Sequence, residues 1–575
     1  MPRLRLIGLC GTLSLTLLLH ACGGGGGAGD LDGGGPDGSG TADAASDGPA
    51  APPEPVTRDS FSPFGQAAID AMMAQGAERH ESWNFSGDTV LDPGWVLQTP
   101  PRATWGAAGA ELALPASCAP GSAGCDADFL LLECASQADC VTGGICRPVL
   151  ATVKAPGEAA KSLCAGHSDE IYDEIYGVLV QAERFADVAS LSPFTGRFEA
   201  AIRNALTFLS NTDRQVSVRV LFGIIAGTDL QVQTDTILSS ITRDVSAMGG
   251  LRRVSVGAYR KGLLSWNHSK IVAVDGRLLI QGGQNLWHDH YLSHSPVHDI
   301  SMRMRGEVAA DAHRFLNIPW RYVCDPHIYP SLRKLDTYPA GAAECPPEYH
   351  VPWQGELLTG LPVVSLGRYG DLGENPSDAA IAAVLGQAER VIRLSLQDLG
   401  PFKIAGITFA DWPADIIQEL SLAILRGVDV YLVLNTNDAR PGGLGRTAAY
   451  GTGWETADSA TALVDWIEAN PSLLPAGASA RDLVCERLHL TTLRFAPGED
   501  TWPDGANIAN HAKLFIVDDA AFFMGSQNLY KSDLAEFSVL VDDVTATEDI
   551  LREYWAPLWE QSARSAISGE GVCAF

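Results

Sequence analysis

The sequence is poor in basic residues. It contains 40 Lys and Arg against 69 Asp and Glu, so its formal net charge is −29 at pH 7. A broad surface of that sign repels phosphate backbones, which argues against a protein that coats nucleic acid. A local basic pocket is still compatible with this charge, because it needs only a few Lys or Arg side chains.

Long apolar runs are also scarce. Beyond the N-terminal region no window of about 18 uninterrupted apolar residues occurs, so we expect no integral membrane span. The N-terminal run is short and ends at Leu19-His20-Ala21-Cys22. This pattern predicts a lipoprotein signal over residues 1–21, with Cys22 lipidated and the protein exported to the cell envelope or outer surface. The alternative is an ordinary signal peptide followed by secretion, since His20 is uncommon before such a cysteine.

Pairs of the form C-x2-C are absent from the sequence. Ten of the 12 cysteines remain once Cys10 in the signal and Cys22 are set aside. Six of these ten lie between residues 118 and 164, which favours disulfides in an oxidising compartment over a zinc site. The pairing itself stays open at this point.

Composition and periodicity divide the chain into segments. Residues 22–58 consist largely of Gly, Ala, Asp, Pro and Ser, which cannot bury enough apolar surface to fold, so we interpret them as a flexible tether. Apolar residues alternate as in half-buried strands at 216–221 and 300–304, and recur three and four apart as in helices at 197–209 and 415–425. Strands that alternate with helices predict an α/β layered fold.

The most informative feature is an internal repeat. Residues 267–287 and 510–530 align without gaps, with nine identities in 21 positions. Both copies read H-x-K-x4-D-x6-G-[GS]-Q-N, at an offset of 243 residues that is far longer than a solenoid period. We therefore predict two duplicated α/β half-domains, in which helices flank β-sheets, in a pseudo-twofold arrangement. The predicted halves are 59–350, with a Cys-rich insertion at about 128–165, and 351–575.

The residue types of the motif suit chemistry on a phosphodiester. Alternate side chains of a strand share a face, so His268 and Lys270 point the same way, as do His511 and Lys513. One imidazole can attack phosphorus while the other, protonated, releases the alcohol, in one active site at the interface of the halves. No cofactor and no metal is then required, because the lysines supply positive charge. The groups expected to hold the phosphate oxygens are Lys270, Asn285, Lys513 and Asn528.

The remaining motif residues are interpreted as structural. Asp275 and Asp518 each stand at a strand-to-turn junction, where Asp commonly accepts hydrogen bonds from the backbone. Small residues precede each asparagine and let the backbone approach a ligand closely. These small residues are Gly282, Gly283, Gly525 and Ser526. A single H-x-K is usually a surface feature, but two copies with identical spacing favour catalysis.

These residues resemble the paired HKD motifs of the phospholipase D superfamily, and especially the secreted phospholipases D of Streptomyces. The segments that carry the resemblance are Trp95–Pro100, Ser265–Lys270, Pro296–Asp299 and Gly525–Tyr530. The resemblance covers about residues 60–575 and implies that His268 is the nucleophile and His511 the general acid and then base. It also implies that each histidine is oriented by a carboxylate downstream of its own motif, Asp299 for the first and Glu536 for the second, although Glu536 stands where those enzymes have Asp.

The resemblance implies a phospholipase D that hydrolyses the terminal phosphodiester of phosphatidylcholine-like glycerophospholipids through a phosphohistidine, with some transfer to alcohols. We expect a phospholipid substrate at a membrane surface, water or an alcohol as acceptor, no nucleic acid partner and a monomer. The alternatives are a phosphatidyltransferase that synthesises phospholipids, a nuclease, and a non-catalytic lipid-binding module. Missing membrane spans count against the first, acidic charge against the second, and intact motifs against the third.

Three further segments add to these expectations. The pattern Cys134-x5-Cys140-x5-Cys146 predicts a small disulfide knob, which either binds a partner or only stabilises the fold. The histidines 288, 290, 294 and 298 are interpreted as a polar loop at the rim of the site, with a metal site as the alternative. The Gly-rich stretch Pro441–Gly453 is predicted to be a long loop, and the resemblance implies that it lies at the mouth of the site, where it would meet the lipid surface.

Overall fold

The chain folds into two large sheets flanked by helices, as described by a computed structural model. The described residues are 53–106, 114–225, 232–292, 295–339, 345–351, 355, 357–400, 403–404, 407–408, 413–436, 439, 455–530 and 532–575. The predicted signal, Cys22, residues 22–52 of the predicted tether, His294 and the loop 441–453 lie outside them. Within these ranges, none of the helices has the length and apolar character needed to cross a membrane.

Helices and strands alternate along the described chain. The strands are β1 (Trp83–Thr89), β2 (Val96–Thr99), β3 (Ile145–Val149), β4 (Lys161–Ala165), β5 (Phe185–Ser190), β6 (Val216–Gly223), β7 (Leu251–Lys261), β8 (Ser265–Trp266), β9 (Ile271–Val274), β10 (Leu278–Gly282), β11 (Asp299–Arg305), β12 (Arg333–Tyr338), β13 (Leu361–Arg368), β14 (Val391–Leu396), β15 (Lys403–Ile404), β16 (Ile407–Thr408), β17 (Asp429–Leu434), β18 (Leu488–Thr492), β19 (Lys513–Val517), β20 (Ala521–Gly525), β21 (Glu536–Val541), β22 (Ser568–Gly569) and β23 (Val572–Cys573). The helices are α1 (Pro63–Ala74), α2 (Glu170–Leu179), α3 (Gly196–Ser210), α4 (Thr234–Ile241), α5 (His288–Tyr291), α6 (Val308–Cys324), α7 (Pro376–Gly386), α8 (Ala414–Arg426), α9 (Thr456–Ala469), α10 (Ala480–Arg487), α11 (Val544–Ile550) and α12 (Ala556–Ser562). The four segments predicted from periodicity fall within β6, β11, α3 and α8.

The two large sheets repeat one topology. The first has the strand order β12-β7-β6-β5-β9-β10-β11-β2, and the second has the order β18-β17-β14-β19-β20-β21-β13-β1. In each, parallel strands lead to the antiparallel hairpin of a motif, β9–β10 or β19–β20, and then to the strand that begins with a carboxylate, β11 or β21. This correspondence confirms the predicted duplication of an α/β half-domain.

The turn of each motif hairpin depends on its aspartate. Asp275 and Asp518 have positive φ angles of 52° and 50°, a left-handed conformation that Asp tolerates better than most residues. The Asp275 carboxylate accepts backbone N–H bonds at 2.7–3.0 Å from residues 183–185, just before β5. The Asp518 carboxylate accepts bonds at 2.8 Å from residues 389–391, just before β14. Each aspartate therefore ties its hairpin to the neighbouring strand, rather than bonding only within its own turn.

Three apolar clusters hold the layers together. One lies between the first sheet and α2 and α3, and a second lies between the second sheet and α1, α7, α8 and α9. The third joins the inner faces of the two sheets, with Ala273, Met302 and Ile516 among its buried members. Each fully buried Leu, Ile or Phe side chain contributes about 1.5–3 kcal/mol. The interface between the halves is thus a core rather than a hinge, which fixes the two motifs relative to each other.

The first residues of the folded region belong with the second half. β1 pairs with β13 in the second sheet, and α1 packs on α7. Val56 is 3% exposed and Pro55 forms a bridge with Leu357, so the folded region already includes residues 55–58. The predicted tether end at 58 and the predicted first half of 59–350 are corrected accordingly, because the strand that covers β13 precedes the first sheet in the chain.

All ten cysteines that were predicted to form disulfides do so. The pairs are Cys118–Cys125, Cys134–Cys146, Cys140–Cys164, Cys324–Cys345 and Cys485–Cys573. The first three lie in or next to the predicted insertion, where β3 and β4 form a hairpin. Phe129, Leu131 and Leu163 of this segment are buried in the first apolar cluster with α2 and α3. The insertion is therefore part of the first core as well as a disulfide knob.

Candidate active site

The two motifs meet where each chain enters its hairpin. Asn267 forms a parallel bridge with Ala535, and His298 forms one with Asn510. The N–H of His268 donates to the Ala535 carbonyl at 2.8 Å, and the N–H of His511 donates to the His298 carbonyl at 2.7 Å. The segment that leads into each motif hairpin thus runs alongside the residue just before the carboxylate of the other half, which is Ala535 or His298.

The orienting carboxylates are exchanged between the halves. His268 Nδ1 lies 2.5 Å from Glu536 Oε1, and His511 Nδ1 lies 2.6 Å from Asp299 Oδ2. The expectation that each histidine pairs with the carboxylate after its own motif is therefore wrong: the parallel bridges between the halves bring each carboxylate to the histidine of the opposite half. With Nδ1–H donated to a carboxylate, the Nε2 atom of each ring is free to face a substrate.

Two lysines supply the positive charge of the site. Lys270 and Lys513 are buried, and their ammonium groups donate to the carbonyls of His268 and His511, respectively. Burial lowers the pKa of Lys513 to about 8, while burial and the nearby Lys513 hold the pKa of Lys270 well below its usual range. Because the charge of Lys513 disfavours the protonated form of Lys270, an anion bound beside them would stabilise both ammonium groups.

The two asparagines differ in their contacts. Asn528 Nδ2 donates to the Tyr530 hydroxyl at 2.8 Å. Asn285 is fully buried, and within the described residues neither its Nδ2 nor its Oδ1 has a hydrogen-bond partner. An unsatisfied buried amide costs about 1–3 kcal/mol, so Asn285 is set to bind a group that enters the site.

Among the small residues, Gly283 makes room for the Asp299 carboxylate. A Cβ atom on Gly283 would lie 2.1 Å from Asp299 Oδ1, which excludes any larger side chain there. At the matching position the Ser526 hydroxyl bonds the backbone of Phe537, accepting from its N–H at 3.0 Å. The expectation of close ligand approach is therefore replaced by close packing of Asp299.

Burial and the nearby lysines disfavour a proton on either histidine in the empty site. Burial, followed by the charge of Lys270, lowers the pKa of His268 to about 4. Burial and the charges of Lys513 and Lys270 hold the pKa of His511 well below its usual value. A bound phosphodiester anion offsets those lysine charges and raises both pKa values, so substrate binding favours proton uptake by one of the two rings.

Sequence reasoning missed two residues that contact the carboxylates. Arg368 Nη1 donates to Glu536 Oε2 at 2.5 Å, and the Tyr291 hydroxyl donates to Asp299 Oδ2 at 2.9 Å. Burial alone would raise the pKa of Glu536, but Arg368 and the bond from His268 lower it below its usual range. Burial raises the pKa of Asp299 to about 6. Arg368 lies outside the motif, on a strand that only the sheet order brings to the site.

A third missed residue is Asp398, just beyond β14. Leu396 pairs with Lys513 in the β14–β19 register, which places residue 398 level with His511 on the same face as Lys513. Its Oδ1 is buried and has no hydrogen-bond partner among the described residues. Burial raises the pKa of Asp398 to about 7, and the charge of Lys513 lowers it in part. The first half has Ser192 at the matching position, so this carboxylate belongs to one side of the site only.

The three described histidines after the first motif, His288, His290 and His298, do not form a metal-binding cluster, and His294 lies outside the described residues. His298 is buried and its Nε2 bonds the Tyr554 hydroxyl at 3.0 Å, so it lies beneath the site rather than at the rim. The His290 ring packs edge-on against Trp287. Among the described residues, the group of three or more His, Cys, Asp or Glu side chains close enough to hold a metal is Cys134, Cys140 and Cys164, which are disulfide-bonded.

The comparison with known proteins agrees with this geometry. The chain is 27% identical over 453 residues to a phospholipase D of Streptomyces antibioticus, which covers 70% of this chain and 79% of that protein. The chain is thus similar to a member of the phospholipase D superfamily. The aligned length reaches into both halves of the chain, as the resemblance in the sequence had implied. No family model matches the chain.

Solved structures with a similar arrangement are more distant in sequence. A phosphatidylserine synthase of Haemophilus influenzae Rd KW20 matches with a TM-score of 0.44 and 12% identity, over 69% of this chain and 85% of that chain. Nuc, a phospholipase D family member from Salmonella typhimurium, matches with a TM-score of 0.21 and 18% identity, over 35% of this chain and 96% of that one.

Proposed function

We propose that the protein is a phospholipase D that releases the headgroup of glycerophospholipids and leaves phosphatidate. The observation that carries this proposal is the pair of His–carboxylate dyads that cross the interface, together with a buried lysine in each motif and the buried Asn285. A site with two lysines and two imidazoles binds a phosphodiester anion and provides both a nucleophile and an acid. The proposed route uses no metal or other cofactor, since the lysines stabilise the charge on phosphorus.

In the first step neutral His268 attacks the phosphorus atom through Nε2. The bond from phosphorus to the headgroup oxygen breaks, and its electron pair goes to that oxygen. His511, protonated when the anionic substrate binds, gives its Nε2 proton to the leaving oxygen and releases an alcohol. The intermediate is a phosphatidyl group on His268, and Glu536 holds the Nδ1–H of that ring.

In the second step His511 is neutral and accepts a proton from water. The water oxygen attacks phosphorus, the P–N bond breaks, and its electron pair returns to the His268 ring. Phosphatidate leaves, and His511 then releases the proton that it took from water to the solvent, which returns the site to its starting state and closes the cycle. A primary alcohol in place of water would yield a phosphatidyl alcohol, so we propose transphosphatidylation as a second outcome of the same intermediate.

The position of Asp398 favours phospholipid substrates whose headgroup carries an ammonium group. The leaving oxygen is on the His511 side in this mechanism, and Asp398 lies level with His511. A carboxylate whose buried oxygen has no partner in the described part of the chain favours a cation that arrives with the substrate. Choline and ethanolamine headgroups fit this requirement, and a second negative charge, as in nucleic acid, does not.

The cellular setting proposed for this enzyme is outside the cytoplasm. Its five disulfides fit an oxidising compartment. We propose that Cys22 is lipidated and anchors the enzyme to the cell envelope, where a monomer reaches a phospholipid surface. Mass spectrometry of the mature protein from its native host, which would find a diacylglyceryl group on Cys22, tests the anchor.

The proposed activity is tested by product analysis. Purified protein is given phosphatidylcholine vesicles or single-stranded DNA, with and without 1-butanol, and products are identified by mass spectrometry. We expect choline, phosphatidate and, with butanol, phosphatidylbutanol, and none of these from His268→Ala or His511→Ala. Cleavage of DNA without any turnover of phospholipid would refute the proposal.

A further inference from the structure

The two orienting carboxylates have unlike neighbours on the adjacent strand. Arg368 of β13 lies opposite Glu536 of β21, and Thr99 of β2 lies opposite Asp299 of β11. β13 and β2 hold the same place in the two sheets, so Arg368 and Thr99 are matched positions of the duplicated fold. The two halves therefore differ at this matched position, because a guanidinium lies next to Glu536 whereas a hydroxyl lies next to Asp299.

Arg368 neutralises part of the negative charge of Glu536. The guanidinium is 1% exposed and donates to Glu536 Oε2 at 2.5 Å, while Glu536 Oε1 contacts His268. Its Nε also donates to Asp378 Oδ1 at 3.0 Å, on α7. The Glu536 carboxylate is thus already paired with a cation before His268 takes up any proton, and Arg368 also repels a positive charge on that ring.

Asp299 has only neutral donors at hydrogen-bond distance in the described part of the chain, apart from His511 itself. Its Oδ1 accepts from the Ile300 N–H at 2.9 Å, and its Oδ2 accepts from Tyr291 at 2.9 Å. The Thr99 hydroxyl accepts a bond from Gln284 at 2.8 Å. In the described part of the chain Asp299 therefore has no hydrogen-bonded cation comparable to Arg368, although the charge of Lys513 acts on it from a greater distance.

We propose that Arg368 is a positioning residue that divides the roles of the two histidines, so that His268 stays unprotonated as nucleophile and His511 receives the proton as acid. This inference rests on the proposed function. An imidazole whose carboxylate is held by a cation binds a proton weakly, whereas one beside an uncompensated carboxylate binds it more strongly when the substrate anion arrives.

Other charged and titratable groups around the rings act on both sides. His268 faces Lys270, Lys513 and Glu536. His511 faces the same two lysines, His268 and His290, together with Asp299 and Tyr291. Because the lysines are common to both rings, they cannot distinguish them, and Arg368 is the cation that contacts one dyad alone.

The test compares Arg368→Met, Arg368→Lys and the matched control Thr99→Ala. The first readout is the acidic limb of the pH profile of kcat/KM on a short-chain phosphatidylcholine. We expect Arg368→Met to move this limb up by about one pH unit, because Glu536 then stabilises a proton on His268. Arg368→Lys should restore most of the shift, and Thr99→Ala should leave the position of the limb unchanged.

The second readout is the site of the phosphohistidine, mapped by peptide mass spectrometry after an alkaline quench. We expect it on His268 alone in the unmodified enzyme, and on both histidines in Arg368→Met. A uniform loss of activity across pH, with the intermediate still on His268 alone, would show that Arg368 only supports the fold and would overturn the inference.

Asp378→Asn gives an independent test at a partly exposed position, should Arg368→Met fail to fold. Without the charge of Asp378, Arg368 pairs with Glu536 alone and disfavours a proton on His268 more strongly. We therefore expect the acidic limb to move in the opposite direction, to lower pH. An unchanged limb or an upward shift would contradict the inference. If the unmodified enzyme forms no phosphohistidine and cleaves no phospholipid, the proposed function fails instead, which separates the two outcomes.

Discussion

We expect the substitution Asp398→Asn to reduce the preference of the enzyme for cationic headgroups. The side chain lies level with His511, and its buried Oδ1 has no partner among the described residues. Two unit charges about 5 Å apart interact by about 3 kcal/mol at an effective dielectric constant of about 20. Lys513 and the lost hydration of the ammonium offset about half of this, which leaves about 1.4 kcal/mol, or a factor of about ten.

The assay is the ratio of kcat/KM for phosphatidylcholine to that for phosphatidylglycerol in mixed vesicles. Asparagine keeps the shape of the side chain and removes its charge, so we expect the ratio to fall about tenfold. The pKa of Asp398 is raised to about 7, and a carboxyl group is charged above its pKa. The ratio should therefore increase from about pH 6 to about pH 8 in the unmodified enzyme and stay flat in Asp398→Asn.

The matched control is Ser192→Ala, which alters the corresponding position of the first half. We expect its ratio and the pH dependence of that ratio to equal those of the unmodified enzyme. An equal ratio in Asp398→Asn, or a ratio that does not vary with pH before substitution, would refute the electrostatic reasoning. Fluorescence-monitored unfolding of each variant ensures that folded enzymes are compared.

Three further predictions concern the motifs. His511→Ala should form the phosphohistidine when the leaving group is p-nitrophenol, which needs no acid, and should then hydrolyse it slowly; failure to form it in a rapid-quench experiment would contradict the role of His511 as acid. Asn285→Ala should reduce kcat by about 10²-fold, as expected when one donor to a developing anion is lost, whereas the control Gln281→Ala, at a neighbouring buried amide, should lose far less; equal losses in steady-state assays would contradict a specific role for Asn285. Asp275→Ala removes the acceptor of three backbone N–H groups and should lower the free energy of unfolding by about 2–4 kcal/mol in urea titrations, with kcat within a few-fold of normal; normal stability would refute its structural role.

Local patterns in the sequence were sufficient to predict the hairpins and the duplication. The spacing of His268, Lys270 and Asp275 determines a strand face and a turn, since both depend on residues only a few positions apart. The disulfide pairs were not predictable, because ten cysteines allow many connectivities and the pairing depends on which segments pack together. The tether end was misplaced, because the contacts that hold residues 55 and 56 come from residues about 300 positions away, beyond any sequence window.

By itself the sequence determined that two equivalent His–Lys strands exist and that phosphodiester chemistry suits them. Only the tertiary structure decided which carboxylate serves which histidine, since Asp299 and Glu536 reach across the interface to the opposite motif. It also decided that Arg368 and Thr99 occupy matched positions, because strand order and register bring them beside those carboxylates. A side chain's local pattern fixes the face on which it lies, whereas its partner is fixed by how distant strands align.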